Sequence, residues 1–447
     1  MQIRLSDHFT YKKLIRFTLP SIFMMVSISI YSIVDGFFVS NYVGKTPFAA
    51  LNLIFPFIML CASLGFMFGT GGSALVGKTL GEGRPERANE LFSMLIDTSL
   101  AVGVLIAVPA FIFLRPISIL LGAEGEMIDY CVQYGRILVA AIPFFMLQNE
   151  FQSFLVTAER PDFGLYITIG AGVTNMLLDA LFIAVLRWGL VGAAAATALS
   201  QFVGGIVPLI YFLLPNRSRL HLGRTRLELR ALAAALGNGV SEFVTDISLS
   251  LVGILYNYQL LRLVGEDGVS AFGIVMYVSF IFCAVFIGYT IGSAPLVSFH
   301  YGAGNTQELK NLFRKSMCLL CCAAVVLTAL GVGLARQQAM IFVSYDETLL
   351  RMTTRAVRLY SFVYLILGFN IYGSSFFTAL NNGLVSFIIS FLRTLVFKVG
   401  TVLLLPALLP APYRLDGIWL ADAAADTLAL ILTFSLLLSN RKKYGYL

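Results

Sequence analysis

Two carboxylic acids stand inside apolar segments of this chain. Asp35 follows the stretch "SISIYSIV" and Asp179 follows "TNMLL", neither of which carries a charge. Tyr31 lies four residues before Asp35 and Asn175 four before Asp179, so each pair shares one face of a helix. Because a carboxylate at membrane depth is costly without a cavity or a partner, these residues predict an ion-binding site.

The chemistry open to such a site is proton or cation binding. Two carboxylates in a dry pocket repel each other when both are ionised, so the pair can hold one proton near neutral pH. The oxygens of Asp35, Asn175, Asp179 and Thr197 could instead coordinate Na⁺, because hard cations prefer oxygen ligands. The sequence does not separate these two ions. A purely structural alternative is that the acids hydrogen-bond to neighbouring helices.

The segments that carry these residues are typical of membrane spans. The chain has 447 residues, of which 58% are hydrophobic and 12% charged, and its mean hydropathy is +0.85. A soluble domain has about twice that charged fraction. The composition predicts an all-α integral membrane protein with twelve spans, each about 20 residues or longer, at 17–40, 48–77, 92–114, 131–157, 164–186, 189–214, 237–263, 268–298, 313–335, 354–380, 384–408 and 415–438.

Lys and Arg residues predict the orientation of these spans. They concentrate before the first span, in "GKTLGEGRPERANE", in "NRSRLHLGRTRLELR" and in the final "RKKYGYL". The positive-inside rule therefore predicts that both termini are cytoplasmic in a multi-pass protein of the plasma (inner) membrane. The net charge of +7 is explained by this topology and by lipid contact, so it does not indicate nucleic-acid binding.

An internal repeat divides the chain into two halves. At an offset of 221 residues, "LGEGRPERANELF" aligns with "YGAGNTQELKNLF" without a gap. Six spans per half predict a parallel repeat around a central cavity. We call residues 1–214 the N-lobe, 215–236 the cytoplasmic linker and 237–447 the C-lobe.

The acids do not follow the repeat. At the same offset Asp35 corresponds to Tyr256 and Asp179 to Gly400. The duplicated scaffold is kept while the acids occur on one side only. We therefore expect the ion site in the N-lobe.

The motifs and the repeat together resemble a known family. The first span "YSIVDGFFV", the stretch "GTGGSALVGKTLGEG" before a basic loop, and its second copy "IGSAPLVSFHYGAG" resemble the multidrug and toxic compound extrusion (MATE) transporters over essentially the whole chain. The resemblance implies coupling residues at Tyr31 and Asp35 and at Asn175 and Asp179. It adds Thr197 and Tyr134 to the same pocket.

The expected function is secondary active export, in which organic cations or amphipathic drugs leave as H⁺ or Na⁺ enters. No other cofactor is expected, and the protein is expected to be a monomer. Gln148 and Asn149 are assigned to the substrate cavity, as are Glu242 and Asp246 of the seventh span. For the last two, ion pairs with Arg393 or Lys398 are the structural alternative.

Two other functions compete with export. A lipid-linked oligosaccharide flippase of the same superfamily more often has extra spans and a strongly basic cavity, which this sequence lacks. A membrane enzyme would need converging nucleophile, base or metal ligands. The three histidines, His8, His221 and His300, fall at loops or span ends, so the sequence predicts no enzyme.

Overall fold

A computed structural model describes residues 3–43, 45–343 and 346–447. Every regular element in these ranges is helical. The helices are α1 (Tyr11–Tyr42), α2 (Lys45–Gly81), α3 (Pro85–Ile112), α4 (Leu114–Leu120), α5 (Glu126–Thr157), α6 (Pro161–Asp179), α7 (Gly189–Leu213), α8 (Leu229–Leu263), α9 (Glu266–Gly302), α10 (Thr306–Gly333), α11 (Ala335–Phe342), α12 (Glu347–Tyr360), α13 (Tyr364–Ala379), α14 (Gly383–Phe391), α15 (Lys398–Leu408) and α16 (Arg414–Tyr444).

Twelve of the helical segments in these ranges are long and apolar enough to cross a membrane, which agrees with the predicted number. The helices extend beyond the predicted spans: the first runs over Tyr11–Tyr42 instead of 17–40. Hydropathy detects only the part that matches the hydrocarbon thickness. The helices continue through polar residues such as Lys12 and Lys13, which are good helix formers.

Three spans are interrupted, which the sequence analysis did not predict. A π-helical segment, Ala180–Val185, follows directly after α6. A second one, Leu392–Phe397, joins α14 to α15, and a 3₁₀ turn, Ser361–Val363, joins α12 to α13. Such interruptions often occur at functional sites. Here they lie beside Asp179 and beside a group of buried charges in the C-lobe.

Each lobe has its own apolar core. In the N-lobe, Phe92 packs against Phe154 and Phe212, with ring centroids 4.8 and 5.0 Å apart. In the C-lobe, the buried side chains include Trp419 and Tyr364. The lobes meet where α1 packs on α9 and α2 packs on α8 and α9.

The closest glycine contacts between the lobes lie in those halves of the helices that are nearer the N- and C-termini of the chain. A Cβ atom added to Gly71 of α2 would stand 2.1 Å from the carbonyl oxygen of Ala235 in α8. One added to Gly81 would stand 2.0 Å from the carbonyl oxygen of Phe299 in α9. Only glycine permits such close backbone approach, so this end of the molecule is closed.

The segment before each lobe docks on the opposite lobe. Ahead of α1, the Phe9 amide donates to Glu308 of α10 (2.9 Å), and the His8 ring lies 2.7 Å from the same carboxylate. Ahead of α8, Glu228 of the linker forms a two-pronged ion pair with Arg87 of α3, with one N–O distance of 2.7 Å. Its hydrogen bonds with Arg87 lower the pKa of Glu228. Arg87 and Glu308 are equivalent positions of the repeat.

Candidate functional site

The structure brings the two predicted acids of the N-lobe together. Asp35 lies on α1 and Asp179 is the last residue of α6, and these two helices pack side by side. The two carboxyl groups are within hydrogen-bonding range of each other. Asp179 is fully buried, and one oxygen of Asp35 is also shielded from solvent. The acids that sequence spacing singled out therefore form one pair.

The acid pair lacks donors. Asp35 Oδ1 and both carboxylate oxygens of Asp179 accept no hydrogen bond from a donor among the described residues. Two ionised carboxylates cannot donate to each other, so their contact becomes a hydrogen bond only when one of them holds a proton. A bound cation would balance the same charge. The alternative in which the acids simply bond to neighbouring helices leaves these oxygens unexplained.

The other predicted members lie on helices that carry or adjoin the pair. Tyr134 of α5 is 1% exposed and lies within electrostatic reach of both acids. Asn175, one turn before Asp179, is 2% exposed. The hydroxyl oxygen of Thr197 on α7 is buried and has no hydrogen-bond partner in the described part of the chain. Buried oxygen atoms thus lie on four neighbouring helices, and oxygen is the ligand that a small hard cation prefers.

Tyr31 is held in place by glycine. A Cβ atom added to Gly172 of α6 would stand 2.7 Å from Tyr31 Cδ1, so the ring lies directly on the α6 backbone. The Tyr31 hydroxyl is near Asp35 and near the Gln148 side chain. Gln148 in turn packs on Gly204 of α7. Gln148, which was assigned to the substrate cavity, therefore adjoins the acid pair through Tyr31.

The Asn149 side chain forms a hydrogen bond with another helix of the N-lobe. Its side chain is 3% exposed and its Nδ2 donates to the carbonyl oxygen of Ala62 in α2, at 3.2 Å. This hydrogen bond joins α5 to α2. The amide of Asn149 thus serves helix packing, and its assignment to the substrate cavity stays a prediction.

Glu242 and Asp246 lie one turn apart on α8 and are partly exposed. Neither carboxylate forms an ion pair with a described cation. The ion pairs considered from the sequence do not form, because Arg393 and Lys398 face other acids. Arg393 is still close enough to Glu242 to interact electrostatically. The two carboxylates remain available on the helix that contacts the N-lobe.

The C-lobe contains a buried charge network that sequence reasoning missed. Asp422 of α16 accepts hydrogen bonds from Tyr256 Oη (2.9 Å), Tyr360 Oη (2.7 Å) and Lys398 Nζ (3.0 Å). All four side chains are at least nine-tenths buried. The sequence analysis did consider Lys398, but it offered the wrong partners. A cation and an acid on adjacent spans were the available signal, because buried charges are usually paired.

A second acid extends this network. Asp426, one turn after Asp422, accepts a hydrogen bond from Asn370 Nδ2 at 2.9 Å. Arg393 Nη1 lies 3.9 Å from the same carboxylate oxygen. Arg393 belongs to the π-helical segment and Tyr360 precedes the 3₁₀ turn. The interrupted helices of the C-lobe thus carry the side chains that neutralise its acids.

The described residues form twelve helical segments that are long and apolar enough to cross a membrane, and no described cation balances the acid pair inside one lobe. This combination is typical of a membrane transporter. The MatE family model matches residues 20–181 and 243–403, which together are more than half of the chain. The chain belongs to the MatE family, whose members are transporters and not enzymes. This result confirms the family resemblance and the fold that the sequence predicted.

Curated relatives and solved structures agree with this assignment. The multidrug export protein MepA of Staphylococcus haemolyticus is 24% identical over 298 residues, which are 66% of either chain. MepA of Staphylococcus aureus strain NCTC 8325 is 21% identical over 347 residues, covering 77% of this chain and 76% of that one. A solved structure of a multidrug resistance MATE family transporter in its outward-facing conformation has a TM-score of 0.90 at 22% identity, over 98% of both chains. A MOP superfamily transporter from Pyrococcus furiosus has a TM-score of 0.88, also at 22% identity, over 97% of both.

Proposed function

We propose that this protein is a cation-coupled antiporter that exports organic cations or amphipathic drugs by alternating access. The main support is the contact between Asp35 and Asp179, two buried acids without a described hydrogen-bond donor. A charge that no described protein group balances favours uptake of an external cation. H⁺ and Na⁺ both fit this oxygen-rich site, and no other cofactor is required. The proposed Na⁺ ligands are those two acids with Asn175 and Thr197.

Neutralisation of the acid pair is the proposed driving step. When both acids are ionised, they attract a cation from outside. Once neutralised, they can be buried at lower free energy, so the N-lobe can adopt another packing. Coupling requires that the ion and the substrate stabilise different conformations, because a ligand that binds both equally shifts nothing.

The available driving force is sufficient for concentrative export. One charge that crosses 100 mV gains about 2.3 kcal/mol, and each pH unit adds about 1.4 kcal/mol. For one neutral molecule exported per proton, these two contributions together supply a gradient of more than a hundredfold. For a singly charged organic cation the two charges cancel, so only the pH difference acts, and one pH unit supplies about tenfold per proton.

Three observations support the substrate and the direction. The relatives named MepA are multidrug export proteins. Glu242 and Asp246 offer negative charge to a cationic substrate. The glycine contacts of α2 with α8 and α9 close the end of the molecule that is nearer the chain termini. The basic residues near both termini favour a cytoplasmic location for this end in the plasma (inner) membrane. The proposed state therefore opens outward.

The test is transport in reconstituted vesicles under separately imposed pH and Na⁺ gradients. Asp35→Asn mimics the neutral form permanently. We expect it to bind a fluorescent organic cation like the wild-type protein but to lose uphill transport. Asp179→Asn should be nearly as impaired, and the double variant little worse than either, because the two acids act as one unit.

The control is Asp162→Asn, the same substitution at an exposed position in the first turn of α6. It should transport like the wild-type protein. Uphill transport by Asp35→Asn at the wild-type rate would reject the proposed coupling site. The gradient that drives wild-type transport identifies the ion.

A further inference from the structure

A pocket of about 470 Å³ opens on the C-lobe, between α11 and α12. It lies at the end of the bundle opposite the docked N-terminal segment, because α10 begins beside that segment at Glu308 and α11 follows its far end. Four arginines line it, together with Glu347: Arg336, Arg351, Arg355 and Arg358. None of the functional residues described above lines this pocket.

The arginines are only partly neutralised. Arg355 pairs with Asp416 of α16, with Nε 2.7 Å from Oδ1, and Arg351 lies 3.2 Å from Glu347. Arg336 and Arg358 form no ion pair with any residue that the structure describes. Two positive charges therefore remain in one concave site. Such like charges repel each other unless an anion joins them.

The N-lobe shows that this arrangement is specific to one half. Arg115 is the repeat equivalent of Arg336, and it pairs with Asp129 at 2.8 Å. The position equivalent to Asp129 in the C-lobe is Leu350, so Arg336 has lost the acid that its counterpart uses. Tyr134 stands where the C-lobe has Arg355. The scaffold alone therefore does not require this concentration of guanidinium groups.

Apolar side chains are exposed beside the pocket. Met340 and Ile341 of α11 are 46% and 77% exposed, and Phe362 of the 3₁₀ turn is 44% exposed. At the end of a membrane span, such side chains contact lipid chains, while arginines at the same level reach the headgroups. The pocket thus combines positive charge with an adjoining apolar surface.

We propose that this pocket binds the phosphate group of an anionic phospholipid, held mainly by Arg336 and Arg358. The planar guanidinium group matches the geometry of a phosphate and binds it with two parallel hydrogen bonds. The neighbouring apolar side chains favour a lipid over a free phosphate ion as the source of that group. The lipid would then bridge α11 and α12.

The test compares purified protein in detergent with added phosphatidylglycerol or phosphatidylcholine, using native mass spectrometry to count retained lipids. We expect the wild-type protein to retain phosphatidylglycerol preferentially. In the double variant R336Q/R358Q, we expect its apparent affinity to fall about thirtyfold, from the loss of two charges at a lipid surface. R115Q is the matched control, because its arginine occupies the same repeat position but already has a partner.

A second measurement separates the possible phosphate sources. Inorganic phosphate is titrated against the lipid-loaded protein, and melting temperature is recorded for all three proteins. Displacement by millimolar phosphate, with no preference between the two lipids, would reject the lipid as occupant and leave free phosphate as the ligand. Equal lipid retention and equal stabilisation by phosphate in wild type and R336Q/R358Q would overturn the site. This binding assay is independent of transport, so it stands whether or not the antiport proposal holds.

Discussion

The two lobes handle buried acids in opposite ways. In the N-lobe, Asp35 and Asp179 contact each other, and no described side chain balances their charge. In the C-lobe, Asp422 is bonded to Lys398 at 3.0 Å and to two tyrosine hydroxyls. Tyr256, one of these tyrosines, occupies the position that Asp35 has in the repeat.

This contrast suggests a division of labour. A cation that belongs to the protein cannot leave, so the charge on the C-lobe acids is balanced throughout any cycle. No described side chain balances the N-lobe acids, so in the proposed mechanism an ion that binds and leaves does so. On this interpretation, the same scaffold supplies one fixed half and one half whose charge changes, and only the second can couple transport to a gradient.

The largest expected effect is on stability and comes from removing the lysine that balances a buried acid of the C-lobe. Lys398→Met leaves the buried carboxylate of Asp422 without its cation, which destabilises a protein by about 3–5 kcal/mol. We expect a large fall in melting temperature, measured by thermal unfolding in detergent. Lys398→Met combined with Asp422→Leu should recover most of it, because the pair is then replaced by apolar side chains.

Two comparisons control this experiment. Lys442→Met removes an exposed lysine and should unfold like the wild-type protein. Asp35→Asn should not lower the melting temperature, because it removes repulsion within the acid pair. If Lys398→Met melts normally, the C-lobe network is not a structural element and the contrast between the lobes fails.

A smaller effect is expected where the N-lobe site depends on a close contact. Gly172→Ala places a methyl group 2.7 Å from Tyr31 Cδ1, so the ring must move away from its place beside Asp35. Overpacking of this kind destabilises by about 1–3 kcal/mol. We expect slower ion-driven transport together with a lower melting temperature.

Gly400→Ala is the control in the C-lobe, because a Cβ atom there meets no described atom within 4 Å. It should affect neither measurement. Equal losses from both alanine variants would show that the effect does not come from the contact with Tyr31, because alanine is the better helix former of the two residues.

The smallest effect concerns the two acids of α8 that no described cation neutralises. If they attract substrate, Asp246→Asn should weaken the export of cationic compounds about two- to fivefold, which is the effect of losing one partly exposed charge pair. Export of neutral compounds, measured in the same vesicles, should change little. Equal losses for both classes, or failure of the variant to insert, would favour a structural role.

Much of the fold was predictable because hydropathy and an internal repeat are strong signals. The number of spans and the family followed from runs of apolar residues and from motif order. The spacing of Tyr31 from Asp35 and of Asn175 from Asp179 placed each pair on one helix face. That the two faces meet depends on the packing of α1 against α6, which a single sequence does not encode in any short pattern.

The other features of the site and of the C-lobe network could be found only from the structure. The partners of Lys398 and Arg393 were mistaken because acids on two different spans were within plausible reach, and only the rotation of each helix decides between them. The π-helical segments were missed because they depend on side-chain bonding across helices instead of on local composition. The contact of Gln148 with Tyr31 could not be predicted because it crosses from α5 to α1.

The exchange of docking segments between lobes has a consequence for biosynthesis. The linker at Glu228 meets Arg87 on a lobe that has already been made. Phe9, in contrast, must wait for Glu308, which is 299 residues further along the chain. At about 5–20 residues per second, that interval lasts about 15–60 s on the ribosome. During that interval the first helix is inserted without this contact. Docking of Phe9 on Glu308 therefore marks the point at which both halves have been assembled.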